Sequence, residues 1–95
     1  MKLIVSKEAS ADLVRLRDFL VDRNPSAAQR AAAAIANAIH SLDLFPERGR
    51  QSDAGDTREL VVPFGRSAYI VRYAILTEEN EIVILRVWHG REQRD

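Results

Sequence analysis

Apolar residues recur along this chain with two periods, helical at first and strand-like from about residue 58. Lys2 to Val5 is a short apolar run that reads as an opening strand. Ser6 then offers an N-cap, with Glu8 in the first turn where the helix dipole favours an acid. Ala9, Leu13, Leu16 and Leu20 follow at helical spacing, and Phe19 widens the stripe. Asp12, Arg15, Asp18 and Asp22 are expected on the other faces. The helix is expected to stop by Asn24, because Pro25 disfavours helical conformation in the residue before it. Asn24 caps a second helix with Pro25 at its first position. That helix is rich in alanine, including Ala31 to Ala34, and Ile35, Ile39 and Leu42 mark its buried side. It runs out near Phe45-Pro46. Small side chains let helices approach closely, so the short connection predicts an antiparallel hairpin.

Residues 46–57 hold Pro46, Gly49 and Gly55 among polar neighbours and read as a loop. Arg58 to Val62 is the next strand, with turn chemistry in Pro63-Phe64-Gly65-Arg66. Ser67 to Leu76 is a longer strand, Thr77-Glu78-Glu79-Asn80 a turn, and Glu81 to His89 the last strand. Strict alternation puts Val83, Leu85 and Val87 on one face and Ile82, Ile84, Arg86 and Trp88 on the other. Both faces are largely apolar, which predicts a central strand. The fold class is therefore α+β, in the order β-α-α-β-β-β. A helical hairpin is expected on one face of an antiparallel-rich twisted sheet. Ninety-five residues suit a single domain over 1–95 with a modest core.

Composition narrows the class. Hydrophobic residues make up 46% of the chain, which fits a folded globule. No apolar run approaches the roughly 20 residues needed to span a bilayer, and the start is too short for a signal peptide. The absence of cysteine rules out disulfides and thiolate metal sites. A cytoplasmic protein without membrane association is the simplest expectation. Fourteen basic residues balance fourteen acidic ones, so a global positive field is lacking. Twelve of the fourteen bases are arginine, which suits bidentate contacts to carboxylate or phosphate. Glu78, Glu79 and Glu81 crowd together, whereas Arg58, Arg66, Arg72, Arg86 and Arg91 are spread out. A locally basic surface and a solvated, salt-bridged one are both compatible with that distribution.

Candidate chemistry concentrates at the end of the last strand. Arg86, His89 and Arg91 lie within six positions, and Gly90 lets the backbone turn. An imidazole beside guanidinium groups can do acid–base work on a phosphodiester. The same trio can equally hold a carboxylate, from a partner or from this chain. On the neighbouring strand Tyr69 and Tyr73 point to one face and Arg72 to the other, so they form no single cluster. The tyrosines read as half-buried core residues with hydroxyls at the rim. Trp88 reads as core or partner surface, and His40 as a surface residue. His40 and His89 are 49 positions apart and give no metal spacing, so neither metal nor cofactor is expected. Phosphate-binding glycine loops and nucleophile elbows are missing as well.

Ala11-Asp12-Leu13, Asn24-Pro25-Ser26-Ala27-Ala28, Leu42 to Arg50, Arg58-Glu59-Leu60-Val61, Tyr69-Ile70-Val71-Arg72-Tyr73 and Ile84 to Arg91 follow one another along the chain. In that order they resemble the toxins of the RelE/ParE superfamily of type II toxin–antitoxin systems. Members of the RelE kind cleave messenger RNA on the ribosome without metal, using basic residues on the sheet and near the C-terminus. Those of the ParE kind poison DNA gyrase. Both are held inactive by an antitoxin encoded beside them, whose C-terminal segment wraps around the toxin.

Where the RelE pattern is basic, this chain has Val61, Pro63 and Ile70, and Arg91 alone has a counterpart. The Asn24-Pro25 opening, the Pro46-x-x-Gly49-Arg50 loop and the His89-Gly90-Arg91 ending resemble the ParE branch. The neutral charge agrees, since a ribosome binder relies on basic surface. The resemblance implies a gyrase inhibitor with no catalytic residues, held in a hetero-oligomer with a ParD-like antitoxin. Sequence-specific nucleic-acid binding by the toxin alone is not expected. Arg58, Arg72, Arg86 and Tyr69 are the expected antitoxin contacts, and Trp88, His89 and Arg91 the expected target contacts. The alternative is a ribosome-dependent mRNA interferase using His89 as acid or base and Arg86 and Arg91 as charge stabilisers.

Overall fold

The computed structural model describes residues 1–92, and both helices begin where their caps put them. Strand β1 (Lys2–Val5) leads to helix α1 (Lys7–Val21), where the Ser6 Oγ accepts a hydrogen bond from the Ala9 N–H at 3.0 Å. Helix α2 (Pro25–Ser41) starts the same way, the Asn24 Oδ1 accepting from the Ala27 N–H at 3.0 Å. Each cap satisfies an N–H that has no partner inside the helix. No helix among the described residues is long and apolar enough to cross a membrane.

Strands β2 (Arg50–Gln51), β3 (Arg58–Phe64), β4 (Ser67–Leu76) and β5 (Glu81–His89) complete a mixed sheet in the order β1-β5-β4-β3-β2. β1 runs parallel to β5 and the other pairs are antiparallel. β5 is thus central, as its two apolar faces predict. Both helices cover one face. Ala9 and Leu16 of α1 and Ala31, Ile35 and Ile39 of α2 join Leu60, Val62, Val71, Tyr73, Ile82 and Ile84 in one buried cluster.

Several local expectations need correction. β2 lies inside the segment read as loop, where two residues pair with Arg58 and Glu59. β3 continues through Pro63 to Phe64, so the turn shrinks to Gly65-Arg66, with Gly65 at φ +60°. The third concerns β5. Arg72 faces Arg86 and Tyr73 faces Ile84, leaving Leu85 as a bulge that exchanges the two faces of the strand. Ile82, Ile84 and Val87 therefore share the core, while Arg86 and Trp88 lie on the bare side with Arg72. Fourth, Phe19 does not widen the buried stripe: it is 59% exposed beneath the Arg23 guanidinium. Finally, Asp12 is not on a solvent face. It is 4% exposed, and a carboxylate buried that deeply must be paired.

Tyr73 fixes the loop after α2. Its hydroxyl donates to the Pro46 carbonyl at 2.7 Å and accepts from the Gly49 N–H at 2.8 Å. A Cβ on Gly49 would come within 2.7 Å of that hydroxyl, which explains the glycine there. Tyr69 and Tyr73 are more deeply buried than half-buried rim residues, at 3% and 0% exposure.

Candidate functional site

Three surfaces are built by these elements, and they differ in chemistry. The first is a groove of about 380 Å³ between the two helices. Leu13, Leu16 and Leu20 of α1 form one wall, Ala28, Ala32, Ile35 and Ala36 of α2 the other, and Tyr69 reaches the floor. The alanines that permit close packing elsewhere along α2 leave space here, because nothing bulky projects from that wall. Arg17 and His40 stand at its rims.

The second surface is the bare face of β3, β4 and β5. Cross-strand register sets Glu59 beside Arg72, Arg72 beside Arg86, and Ile70 between Val61 and Trp88. The Glu59 carboxylate accepts from the Arg72 Nη2 at 2.8 Å. That guanidinium also lies 4.9 Å from the Trp88 ring centroid, a cation–π contact that leaves Trp88 7% exposed. The arginines that β3, β4 and β5 carry on this face, Arg72 and Arg86, are each held by a carboxylate.

The third is the edge of β5 beyond the end of β1. β1 pairs with β5 as far as Val5 opposite Ile84, and α1 covers the rest of that edge. There the Asp12 Oδ2 accepts from the Val87 N–H at 2.8 Å and from the Arg86 Nε at 2.8 Å, while Arg86 Nη2 reaches Oδ1 at 3.0 Å. Arg15 approaches the same carboxylate at 3.4 Å. Burial raises the Asp12 pKa, but the Arg86 and Val87 hydrogen bonds and the nearby positive charge outweigh it and bring it down to about 2.

The expected site residues are spread over these surfaces. Arg72, Arg86 and Trp88 come together on the bare face. Arg58 is turned inward, its Nη1 donating to the Gly49 carbonyl at 2.7 Å, where it ties down the loop. Tyr69 packs in the core, edge-on to the His89 ring with centroids 5.3 Å apart. His89 pairs across the sheet with Tyr69 and so faces away from Arg72 and Arg86. Its Nδ1 accepts from the Arg91 N–H at 3.2 Å, whereas the Arg91 residue is exposed. The trio His89, Arg86 and Arg91 is therefore split, with Arg86 tied to Asp12.

Asp12 and Glu59 were not singled out from sequence. Asp12 carried a readable signal: it stands three residues after Ala9 and four before Leu16, on the stripe those two define. Glu59 carried none, because its partner depends on the β3–β4 register.

The fold and its surfaces are those of a small α+β domain: a helical hairpin over an antiparallel-rich sheet, with an open apolar groove and a face of paired charges. Residues 3–94 match the family described as "ParE toxin of type II toxin-antitoxin system, parDE", and the chain belongs to that family. The toxin RelE1 of Caulobacter vibrioides is 44% identical over 97% of this chain and 96% of its own length. The toxin RelE3 of the same organism is 36% identical over 90% of each. Among solved structures, one titled "Chromosomal ParDE TA system from P. aeruginosa" superposes with a TM-score of 0.77. It is 26% identical and the match covers 94% of this chain and 95% of that one. The protein is thus a type II toxin of the RelE/ParE superfamily.

Proposed function

We propose that this toxin acts in the cytoplasm by inhibiting DNA gyrase through protein–protein contact and is silenced by a ParD-like antitoxin. The observation that carries this is the bare sheet face. Cutting a phosphodiester needs several uncompensated positive groups around the phosphate, but Arg72 is neutralised by Glu59 and Arg86 by Asp12. Val61, Ile70 and Pro63 make the rest of that face apolar. Such a surface suits a protein partner better than an RNA.

The groove supports the antitoxin half of the reading. An amphipathic helix with large apolar residues facing the alanine wall fits its shape. An extended, acidic continuation would then follow the sheet, with Arg72 and Arg86 as its contacts and Tyr69 beneath the helix. Arg58 contributes through the loop it holds. Trp88, His89 and Arg91 remain the residues assigned to the target.

The relatives named RelE favour a second reading, a ribosome-dependent mRNA interferase using His89 with Arg86 and Arg91. Two assays separate the readings. Purified toxin with gyrase and plasmid is expected to trap DNA breaks, and translating ribosomes are expected to keep their message intact. Cleaved message that disappears with His89→Ala would establish the interferase instead.

A further inference from the structure

Past the end of β1, two backbone N–H groups of β5, those of Val87 and His89, each share one carboxylate with an arginine. At Val87 the arginine is Arg86 and the carboxylate is Asp12. At His89 the N–H donates to the Glu92 Oε2 at 2.9 Å, and the Arg15 Nη1 donates to the Glu92 Oε1. The two forks differ in permanence. The Asp12 side chain is 5% exposed and grows from a helix. The Glu92 side chain is 33% exposed, its Arg15 partner 45%, and it comes after the turn that ends the last strand. Holding Glu92 there orders a side chain at the surface for an ion pair that water screens.

We propose that the fork made by the His89 N–H and the Arg15 guanidinium is a carboxylate-binding site, filled by Glu92 in the free chain and by an acidic side chain of the antitoxin in the complex. This rests on the antitoxin half of the proposed function. The ligand class is set by the group both forks hold, a carboxylate shared between a backbone N–H and a guanidinium: at Glu92 they take one oxygen each, and at Asp12 Oδ2 takes the N–H and the Arg86 Nε while Oδ1 takes Arg86 Nη2. One carboxylate there replaces another of the same charge and shape. Exchange preserves the charge of the site and returns the backbone N–H to a partner, so it leaves no buried group unsatisfied.

The test is a titration of the toxin with the antitoxin encoded beside it. Glu92→Ala removes the internal competitor and is expected to tighten binding about fivefold. Arg15→Gln is expected to weaken it by a similar factor, and the double variant should gain nothing over Arg15→Gln. Unchanged or weaker binding by Glu92→Ala would overturn the exchange while leaving the antitoxin reading intact. A second measurement needs no antitoxin: the His89 amide resonance in Glu92→Ala, followed by NMR during titration with acetate or inorganic phosphate. Acetate is expected to move it, and Arg15→Gln should abolish the response. A larger response to phosphate would overturn the carboxylate assignment in favour of a nucleic-acid backbone. If acetate moves the amide but the neighbouring protein does not bind, the site stands and its occupant is wrong.

Discussion

Between α1 and α2 the molecule shows apolar carbon to solvent, whereas across the bare face and along the edge of β5 beyond β1 it shows charge that is already matched. In the groove, Leu13, Leu20, Ala32 and Ala36 have nothing large packed over them. On the sheet, Glu59 holds Arg72 and Asp12 holds Arg86. The difference assigns separate tasks to the two regions. A partner helix filling the groove gains roughly 25 cal/mol for each Å² of apolar surface removed from water. A partner acid on the sheet must displace an existing counter-ion, so it gains little affinity and discriminates by geometry. Binding strength should come from the hairpin and selectivity from the sheet.

The sharpest way to break the matched side is to remove its buried member. Asp12→Ala leaves the Arg86 guanidinium and the Val87 N–H without their acceptor at the α1–β5 seam. Its expected cost is about 3–5 kcal/mol, seen as a fall in Tm of about 15 °C or more. A loss below about 1 kcal/mol would mean that water replaces the carboxylate and that the seam is not closed. Acid offers a gentler version. Because the folded pKa of Asp12 lies at about 2, below its ordinary 3.8, the contribution is complete above pH 3.8 and is lost as pH falls through 2. The gap corresponds to roughly 2 kcal/mol. The stability difference between wild type and Asp12→Asn in urea should therefore shrink across that window; a difference independent of pH would contradict the pairing.

On the apolar side, Ala36→Glu places a charge on the groove wall without touching the core. Stability should change by no more than about 0.5 kcal/mol, since Ala36 is exposed on a helix. Antitoxin affinity should fall about tenfold, roughly 1.4 kcal/mol. Calorimetric titration checks this. Unchanged affinity would move the partner helix off the hairpin.

How much of this was legible in the sequence depends on the range of the interactions involved. Ser6 and Asn24 announce the helix starts because a cap acts over three residues. The strands from Arg58 onward announce themselves by period. Leu85 does not, since a bulge is visible only when β4 and β5 are aligned, and one extra residue exchanged the faces of Val87 and Trp88. Asp12 looked solvated because a helix position is usually judged by its own polarity. Its burial depends on Val87, 75 residues later. The groove was invisible for a related reason: alanines predict close approach, but not the place where the helices fail to meet.

The smallest expected effect tests whether the bare face is silenced by the matching of its charges. Glu59→Gln keeps the shape of the side chain and removes the counter-ion of Arg72. A partly exposed pair contributes little, so the loss of stability should be under about 1 kcal/mol. The informative change is in binding. One uncompensated guanidinium on this face offers a phosphate contact. Affinity for single-stranded RNA should rise a few-fold at low salt and the gain should vanish as salt increases. If Glu59→Gln binds RNA no better than wild type, Glu59 is not what keeps this face from nucleic acid, and the apolar positions Val61, Pro63 and Ile70 must account for it. If it gains RNA affinity without cleaving message on ribosomes, charge matching explains the face and catalysis still lacks its acid or base, as expected for a His89 turned toward Tyr69.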